Sequence, residues 1–189
     1  MINKLISLLS PPSQRNFDNA AWATFESEGC LRLPNDFKQL ISIYGCGAVD
    51  NFVWVLDPFS KNPNLNFEKS KYFVDAYAVM RQEFLSDYPR PDYPAEGSFL
   101  PWAVTDNGET LVWLVEEEPD SWKVAIHSSD QGEEEVYNFG CVEFLLKLLS
   151  RDISSKILPS QFPPVDLNKH FLQLLIRCKS GNSRRSRFY

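Results

Sequence analysis

The sequence predicts an α+β domain built on a mostly antiparallel sheet, and three observations point to it. Phe37, Leu40, Ile41 and Tyr44 repeat at the i, i+3, i+4, i+7 spacing of an amphipathic helix. From Phe99 onward the period shortens to brief apolar runs divided by turn residues, the pattern of a strand meander. Val142, Phe144, Leu145, Leu148 and Leu149 then return to helical spacing. Helices and strands are segregated along the chain, which separates α+β from the alternating α/β order.

Taken in order, Ile2, Leu5, Ile6 and Leu9 read as a short helix stopped by Pro11-Pro12. A second helix is expected from Asp18, a competent N-cap, to Gly29, with Trp22 and Phe25 on its inner face. Pro34 suits the first position of the next helix, which Gly45 and Gly47 end. Phe52 to Leu56 is β-branched and aromatic, closes on Asp57-Pro58 and reads as a buried strand. A long helix follows, with Phe73, Ala76, Tyr77, Met80 and Phe84 on one face. Pro89, Pro91 and Pro94 make the segment from Asp87 to Gly97 a long loop, and such loops often carry function.

Phe99 to Val104, Leu111 to Val115, Trp122 to Ile126 and Val136-Tyr137 are the meander, about four strands in all. Asn107-Gly108 is a hairpin signal, because both central residues of a type I′ turn need positive φ. Beyond Arg151, Pro159, Pro163 and Pro164 loosen the pattern, and Leu167, Phe171, Leu174, Leu175 and Cys178 suggest one more amphipathic helix. The organisation expected is a domain over 1–151, a linker and helix over 152–180 and a basic tail over 181–189.

Bulk properties narrow the function. A chain of 189 residues with 43% hydrophobic content has enough material for one globular core. The net charge is −6, yet Arg177, Lys179, Arg184, Arg185 and Arg187 are cations at the end with no acid among them, leaving −11 on the body. That field repels nucleic acid and acidic membranes and attracts a basic partner. Cys30, Cys46, Cys141 and Cys178 form no close pair, which favours buried free thiols over disulfides or zinc. The apolar start is too short for a signal peptide, and no stretch approaches a membrane span. A cytoplasmic protein with no membrane partner is expected.

A search for chemistry finds little. The histidines are His127, at a strand end before Ser128 and Ser129, and His170. His127 with a neighbouring serine would be the core of a hydrolase site, but no GxSxG elbow supports it and an ordinary strand-end histidine is preferred. Glu116-Glu117-Glu118 and Glu133-Glu134-Glu135 lack the alternation of calcium loops and read as a solvated acidic rim. No phosphate-binding glycine motif occurs, so no cofactor, metal or catalytic residue is assigned, and a non-enzymatic protein is expected. The five tryptophans could be core or interface anchors. Candidate partner contacts are Asp57, Glu116, Glu117, Glu118, Asp120, Glu133, Glu134 and Glu135, at strand ends where loops offer exposed charge. The Pro-rich loop from Asp87 to Gly97 is the alternative site.

A set of features in fixed order resembles the SUKH superfamily, immunity proteins related to a fungal glucan-synthesis regulator. The set is Trp22 and Glu26, then Leu33-Pro34-Asn35-Asp36-Phe37-Lys38, then Tyr44-Gly45-Cys46-Gly47. It continues with Leu100-Pro101-Trp102-Ala103-Val104-Thr105-Asp106-Asn107-Gly108, Leu111-Val112-Trp113, and Glu143-Phe144-Leu145 before Leu148-Leu149. Cys46 displaces the second glycine of the family's Gly-Gly break, and the Pro-rich loop and last helix lie outside the pattern. The resemblance implies a curved antiparallel sheet of roughly 4–6 strands flanked by helices. It also implies an antitoxin that binds and neutralises a cognate bacterial toxin, often a nuclease, or else an intracellular scaffold or regulator with a non-toxin partner. It carries over no catalytic residue.

Overall fold

A computed structural model describes residues 1–12, 19–29, 31–128, 132–164 and 170–173. The helices are α1 (Ile2–Leu8), α2 (Asn19–Gly29), α3 (Asn35–Tyr44), α4 (Lys69–Glu83) and α5 (Cys141–Leu149). The strands are β1 (Leu9–Ser10), β2 (Gly47–Val49), β3 (Val53–Val55), β4 (Phe99–Thr105), β5 (Thr110–Leu114), β6 (Lys123–His127), β7 (Glu134–Tyr137) and β8 (His170–Gln173). They form one open sheet in the order β1-β8-β2-β3-β4-β5-β6-β7. From β2 to β7 every neighbour is antiparallel and consecutive, so the meander runs further back than its sequence pattern suggests. The α+β class with a mostly antiparallel sheet holds.

The central strands are buried on both faces. Leu111 and Trp113 of β5 join the main core with Val53, Val55, Val124 and Ile126, under Phe37 and Ile41 of α3 and Phe144 and Leu145 of α5. Val112 and Leu114 face the other way, against Tyr77 of α4, Tyr88 and Phe99. Two-sided burial explains why this strand is continuously apolar instead of alternating. A bulge between Pro101 and Ala103 inserts Trp102 on the main-core side. Its ring stacks on Trp113 at 6.1 Å and meets Phe144 edge-on at 6.3 Å. Pro101 is tolerated in a central strand because it sits beside this bulge, and its carbonyl accepts a hydrogen bond from Ser70 Oγ at 2.5 Å.

Turn chemistry differs from expectation at two places. The 106–108 loop is longer than a two-residue turn: Thr105 N–H donates to Glu109 O at 2.9 Å, and only Gly108 of the three has positive φ, at 99°. The adjacent strand holds it open, with Asp106 N–H donating to Phe52 O and Trp54 Nε1 donating to Asp106 Oδ1. The turn with two positive φ values is instead Asp50 (49°) and Asn51 (56°), closed by Phe52 N–H on Val49 O. Gly45 ends α3 as expected, but Gly47 at once begins β2, a strand the glycines concealed.

The largest correction concerns the chain end. Residues 170–173 are a strand, not part of a helix, and β8 lies antiparallel to β2 and parallel to β1 within the same sheet. An otherwise unpaired β2 edge outweighs local helical spacing, since each strand group left without a partner costs free energy. The 152–164 segment is no free linker either: Phe162 lies 4.6 Å from Phe52 ring to ring, and Leu158 is buried. Asp18, Cys30, Ser129, Leu167, Leu174, Leu175, Cys178 and the basic tail lie outside the described residues. Of the cysteines, Cys46 and Cys141 are free thiols, as the spacing suggests.

Two polar pins, one partly and one fully buried, lock this arrangement. Asp36, in the first turn of α3, accepts Val142 N–H at 3.1 Å and so caps α5 from a distance. His170 places Nδ1 2.5 Å from Asp50 Oδ2 and Nε2 3.0 Å from Leu149 O, tying β8 to the β2–β3 turn and to the end of α5. Gly140→Ala should lower stability by about 2 kcal/mol in urea unfolding, because a Cβ there runs into Asp36 Oδ2. Gly29→Ala, whose Cβ meets Leu31 at a comfortable 3.9 Å, should be neutral or better. His170→Ala should cost about 3 kcal/mol by stripping the buried Asp50 of its imidazole, and should speed amide exchange in β1 and β2.

Candidate functional site

The acidic residues singled out from the sequence do not form one rim. Leu114 pairs with Lys123 at the start of β6 and His127 pairs with Glu134 at its end, so the two glutamate runs occupy opposite ends of the strand, roughly 13 Å apart. At the first end Glu116 accepts from Lys123 Nζ at 2.9 Å, while Glu117 and Glu118 are exposed. Asp120 accepts both Asn35 N–H and Asn35 Nδ2 at 2.7 Å, which anchors the start of α3. At the second end Glu133 is exposed, and Glu135 accepts Lys156 N–H at 2.7 Å and Tyr137 O–H at 2.9 Å. Asp57 is a correction: it is only 2% exposed, and its carboxylate accepts Phe59 N–H at 2.8 Å and Cys46 N–H at 3.1 Å. It organises the loop after β3 and presents no charge to a partner.

The prominent exposed apolar surface lies on α4. Of the residues that share the apolar face read from the spacing, Tyr77 is buried, Phe73 half-buried, and Ala76, Met80 and Phe84 exposed. Ser70 and Tyr77, seven residues apart, are the positions that α4 buries, so its grip on the sheet is a narrow strip. The outer side carries Tyr72 (63% exposed), Val79 (60%) and Met80 (38%), continued by Phe84 (50%) and Leu85 (59%). Tyr72, Val79 and Met80 stand at i, i+7 and i+8, which sets them along one ridge. Acids rim it. Over residues 68–97 the exposed acids are Glu68, Asp75, Glu83, Asp87, Asp92 and Glu96, against one exposed base, Lys71. Exposed apolar side chains in a row, with more acids than bases around them and Lys69 Nζ 4.8 Å from the Tyr72 ring, make this the candidate surface.

Beside Tyr77 of α4, the Pro-rich loop and the β6–β7 end line an open cleft of about 240 Å³. Arg90, between Pro89 and Pro91, sets Nε 3.1 Å from Glu134 Oε2 and also engages Oε1 through Nη2. Its backbone N–H donates to Tyr77 Oη at 3.1 Å and its Nη1 to Gly97 O at 3.4 Å. The bond to Glu134 raises the Arg90 pKa, so the pair is a fixed, mutually neutralised strut. Gly132 (φ 64°) brings the far wall close, since a Cβ there would lie 2.5 Å from Asp87 O.

His127 forms the floor. It is 8% exposed, stacks on Phe99 at 5.7 Å and meets Tyr77 and Tyr88 edge-on at 5.4 and 5.8 Å. Burial lowers its pKa from the ordinary value, with the nearby Glu134 carboxylate pulling weakly the other way. Burial likewise raises the Tyr77 hydroxyl. The sequence reading named the Pro-rich loop as a site but missed Arg90 and Tyr77. The signal was present in the Pro-Arg-Pro triplet, a cation held between two rigid residues.

The second cleft, about 290 Å³ between α3 and α5, is lined by Asp36, Asp120, Trp122 and Glu143. Asp36 and Asp120 are already committed to the helix starts there. Among the described residues no group of His, Cys, Asp or Glu is arranged to hold a metal ion, and no helix is long and apolar enough to cross a membrane.

The low His127 pKa fixes the sign of a pH effect. The unfolded chain takes up a proton near 6.5 before the folded one does, so this group withdraws stability as pH falls below about 6.5, levelling off beneath the folded value. Thermal midpoints from about pH 8 to about pH 5 should therefore fall more steeply for the native protein than for His127→Phe, which keeps the ring stack without the titration. Parallel curves would remove His127 as the cause. Comparison with protein-family models, with curated proteins and with solved structures gives no match for this chain.

Proposed function

We propose that the chain is an immunity protein of the SUKH type, which binds a cognate bacterial toxin domain, a basic nuclease, and neutralises it by occlusion. The observation that carries this reading is the α4 ridge: exposed Tyr72, Val79, Met80, Phe84 and Leu85 with acids around them. Such a ridge supplies hydrophobic burial at its centre and charge complementarity at its rim, the two parts of a tight protein interface. The ordered resemblance from Trp22 to Leu149 supports the family, and the acidic body favours a basic target. In this reading the protein acts in the cytoplasm, contacts neither nucleic acid nor membrane, performs no catalysis and needs no cofactor.

The test is to mix the purified protein with the toxin domain encoded beside its gene and to ask whether cells expressing both survive. A stable complex and protection are expected. Replacing Val79 and Phe84 by Asp should leave folding intact, because both side chains are exposed, and weaken the complex about 30-fold. Reversing Asp75, Glu83 and Asp87 to Lys should slow association and flatten its salt dependence. Absence of both complex and protection would sink the toxin reading. Capture of a harmless partner through the same ridge would replace it with a scaffold or regulator.

A further inference from the structure

The cleft beside Tyr77 has its own chemistry, separate from the acidic rim. Its charges cancel, since Arg90 and Glu134 are bonded to each other. Its walls are rings: Pro89 and Pro91 on the loop side, Tyr77 and His127 on the other. Several hydrogen-bonding groups in it are unspent among the described residues. The Tyr77 oxygen accepts from Arg90 N–H, but its own O–H has no acceptor. Arg90 has five side-chain N–H groups. Its bonds to Glu134 and Gly97 engage one hydrogen on each nitrogen, so a second remains on Nη1 and on Nη2. His127 makes ring contacts only, although it is more than nine-tenths buried.

We propose that this cleft receives a phenol ring, the side chain of a tyrosine on the bound partner, with its hydroxyl oxygen accepting from Tyr77 and Arg90. The deduction follows from what the cleft excludes. A charged side chain finds no net countercharge, because the Arg90–Glu134 pair is neutral as a unit. An aliphatic chain would bury the Tyr77 O–H and the Arg90 N–H groups without acceptors, at a cost of about 1–3 kcal/mol for each. An indole N–H could donate to His127, but an indole has no acceptor for the Tyr77 and Arg90 donors and would leave them unbonded. A phenol is flat enough to lie between proline and tyrosine rings, and its oxygen accepts. The phenol O–H can then donate a hydrogen bond to the unprotonated nitrogen of His127. Tyrosine is also a favoured interface anchor, and the cleft shares with the ridge the helix α4, which contributes Tyr77 to its lining. The partner as source of the ring rests on the function proposed above; the chemistry of the cleft does not.

N-acetyl-L-tyrosinamide, N-acetyl-L-phenylalaninamide and p-cresol are titrated into the full chain while the imidazole signals of its two histidines are followed by NMR. The His127 signals should shift saturably and those of His170 should not. The tyrosine amide should bind about fivefold more tightly than the phenylalanine amide, the worth of one hydrogen bond. Tyr77→Phe, which keeps the ring but removes one of the donors, should reduce that preference at least twofold, with a modest fall in thermal midpoint from the lost Arg90 N–H bond, while affinity for the phenylalanine amide stays the same. Equal affinities, shifts that do not saturate, or a preference undiminished by Tyr77→Phe would overturn the proposal. Tighter binding of p-cresol than of the amide would overturn the partner as source and assign the cleft to a free phenolic compound. These probes need no toxin, so their failure beside an intact toxin complex removes the cleft alone.

Discussion

The pairing of β4 with β5 at the middle of the sheet is the constraint from which the other features follow. Both strands are buried on both sides, so the sheet needs a cover on each face. On one face the cover is thick, with α1, α3 and α5 enclosing Trp102, Trp113 and their neighbours. On the other it is thin, a helix and a proline-rich loop resting on Phe99, Val112, Leu114 and Ala125. The bulge that places Trp102 in the thick core also exposes the Pro101 carbonyl to Ser70, which fixes where α4 begins. A helix that buries only Ser70 and Tyr77, with Val74 partly packed against the main core, leaves Tyr72, Val79 and Met80 exposed. The ridge is therefore a consequence of how little of α4 the sheet needs.

Buried polar pins hold the periphery to this centre, and they carry a cost of their own. Burial raises the Asp36 pKa despite the Val142 N–H and Cys141 side-chain bonds that favour its charged form, so desolvation outweighs them. The Cys141 thiol beside it is driven far up by the same burial and by that carboxylate, which keeps it inert. Such a group persists because removing one partner would strand another: without Asp36 the first turn of α5 loses its cap, and with any residue but glycine at 140 the carboxylate has no room. His170 plays the matching part at the opposite end of α5, accounting for a polar residue in an otherwise apolar corner.

How much of this was legible in the sequence depended on whether the deciding contacts were local. Phe37, Leu40, Ile41 and Tyr44, and Val142 through Leu149, showed their buried faces directly, because helix periodicity is a property of a few consecutive residues. β8 was not legible, since its strand state depends on pairing with Ala48 and Val49, more than a hundred residues earlier. The apolar spacing of α4 was legible as a helix with one apolar face, but not which of those residues the sheet would bury, because spacing reports a face and not what lies against it. Asp57 failed for the opposite reason: an acid after a strand looks exposed, yet here three backbone segments converge on it. The glutamate runs were visible, but only the β6 register shows that they stand at opposite ends of a strand.

Ridge and cleft share α4 and the loop after it, yet they suit different stages of recognition. In the proposed function the acidic groups would act at a distance of about 10 Å, within which a basic partner would be drawn in and oriented whatever its detailed shape. The rim alone would accept many basic proteins, because charge attraction is tolerant of sequence. The cleft works by the opposite logic: Arg90 and Glu134 have spent their charges on each other, so what remains is shape and unsatisfied donors. Discrimination by unpaired donors is steep, because a wrong group leaves them buried and unbonded. An acidic ridge that gathers partners and a neutral cleft that rejects most of them would together give selectivity that neither supplies alone. The stiffness this requires is built in, with Arg90 flanked by two prolines and bonded to Tyr77, Gly97 and Glu134 at once.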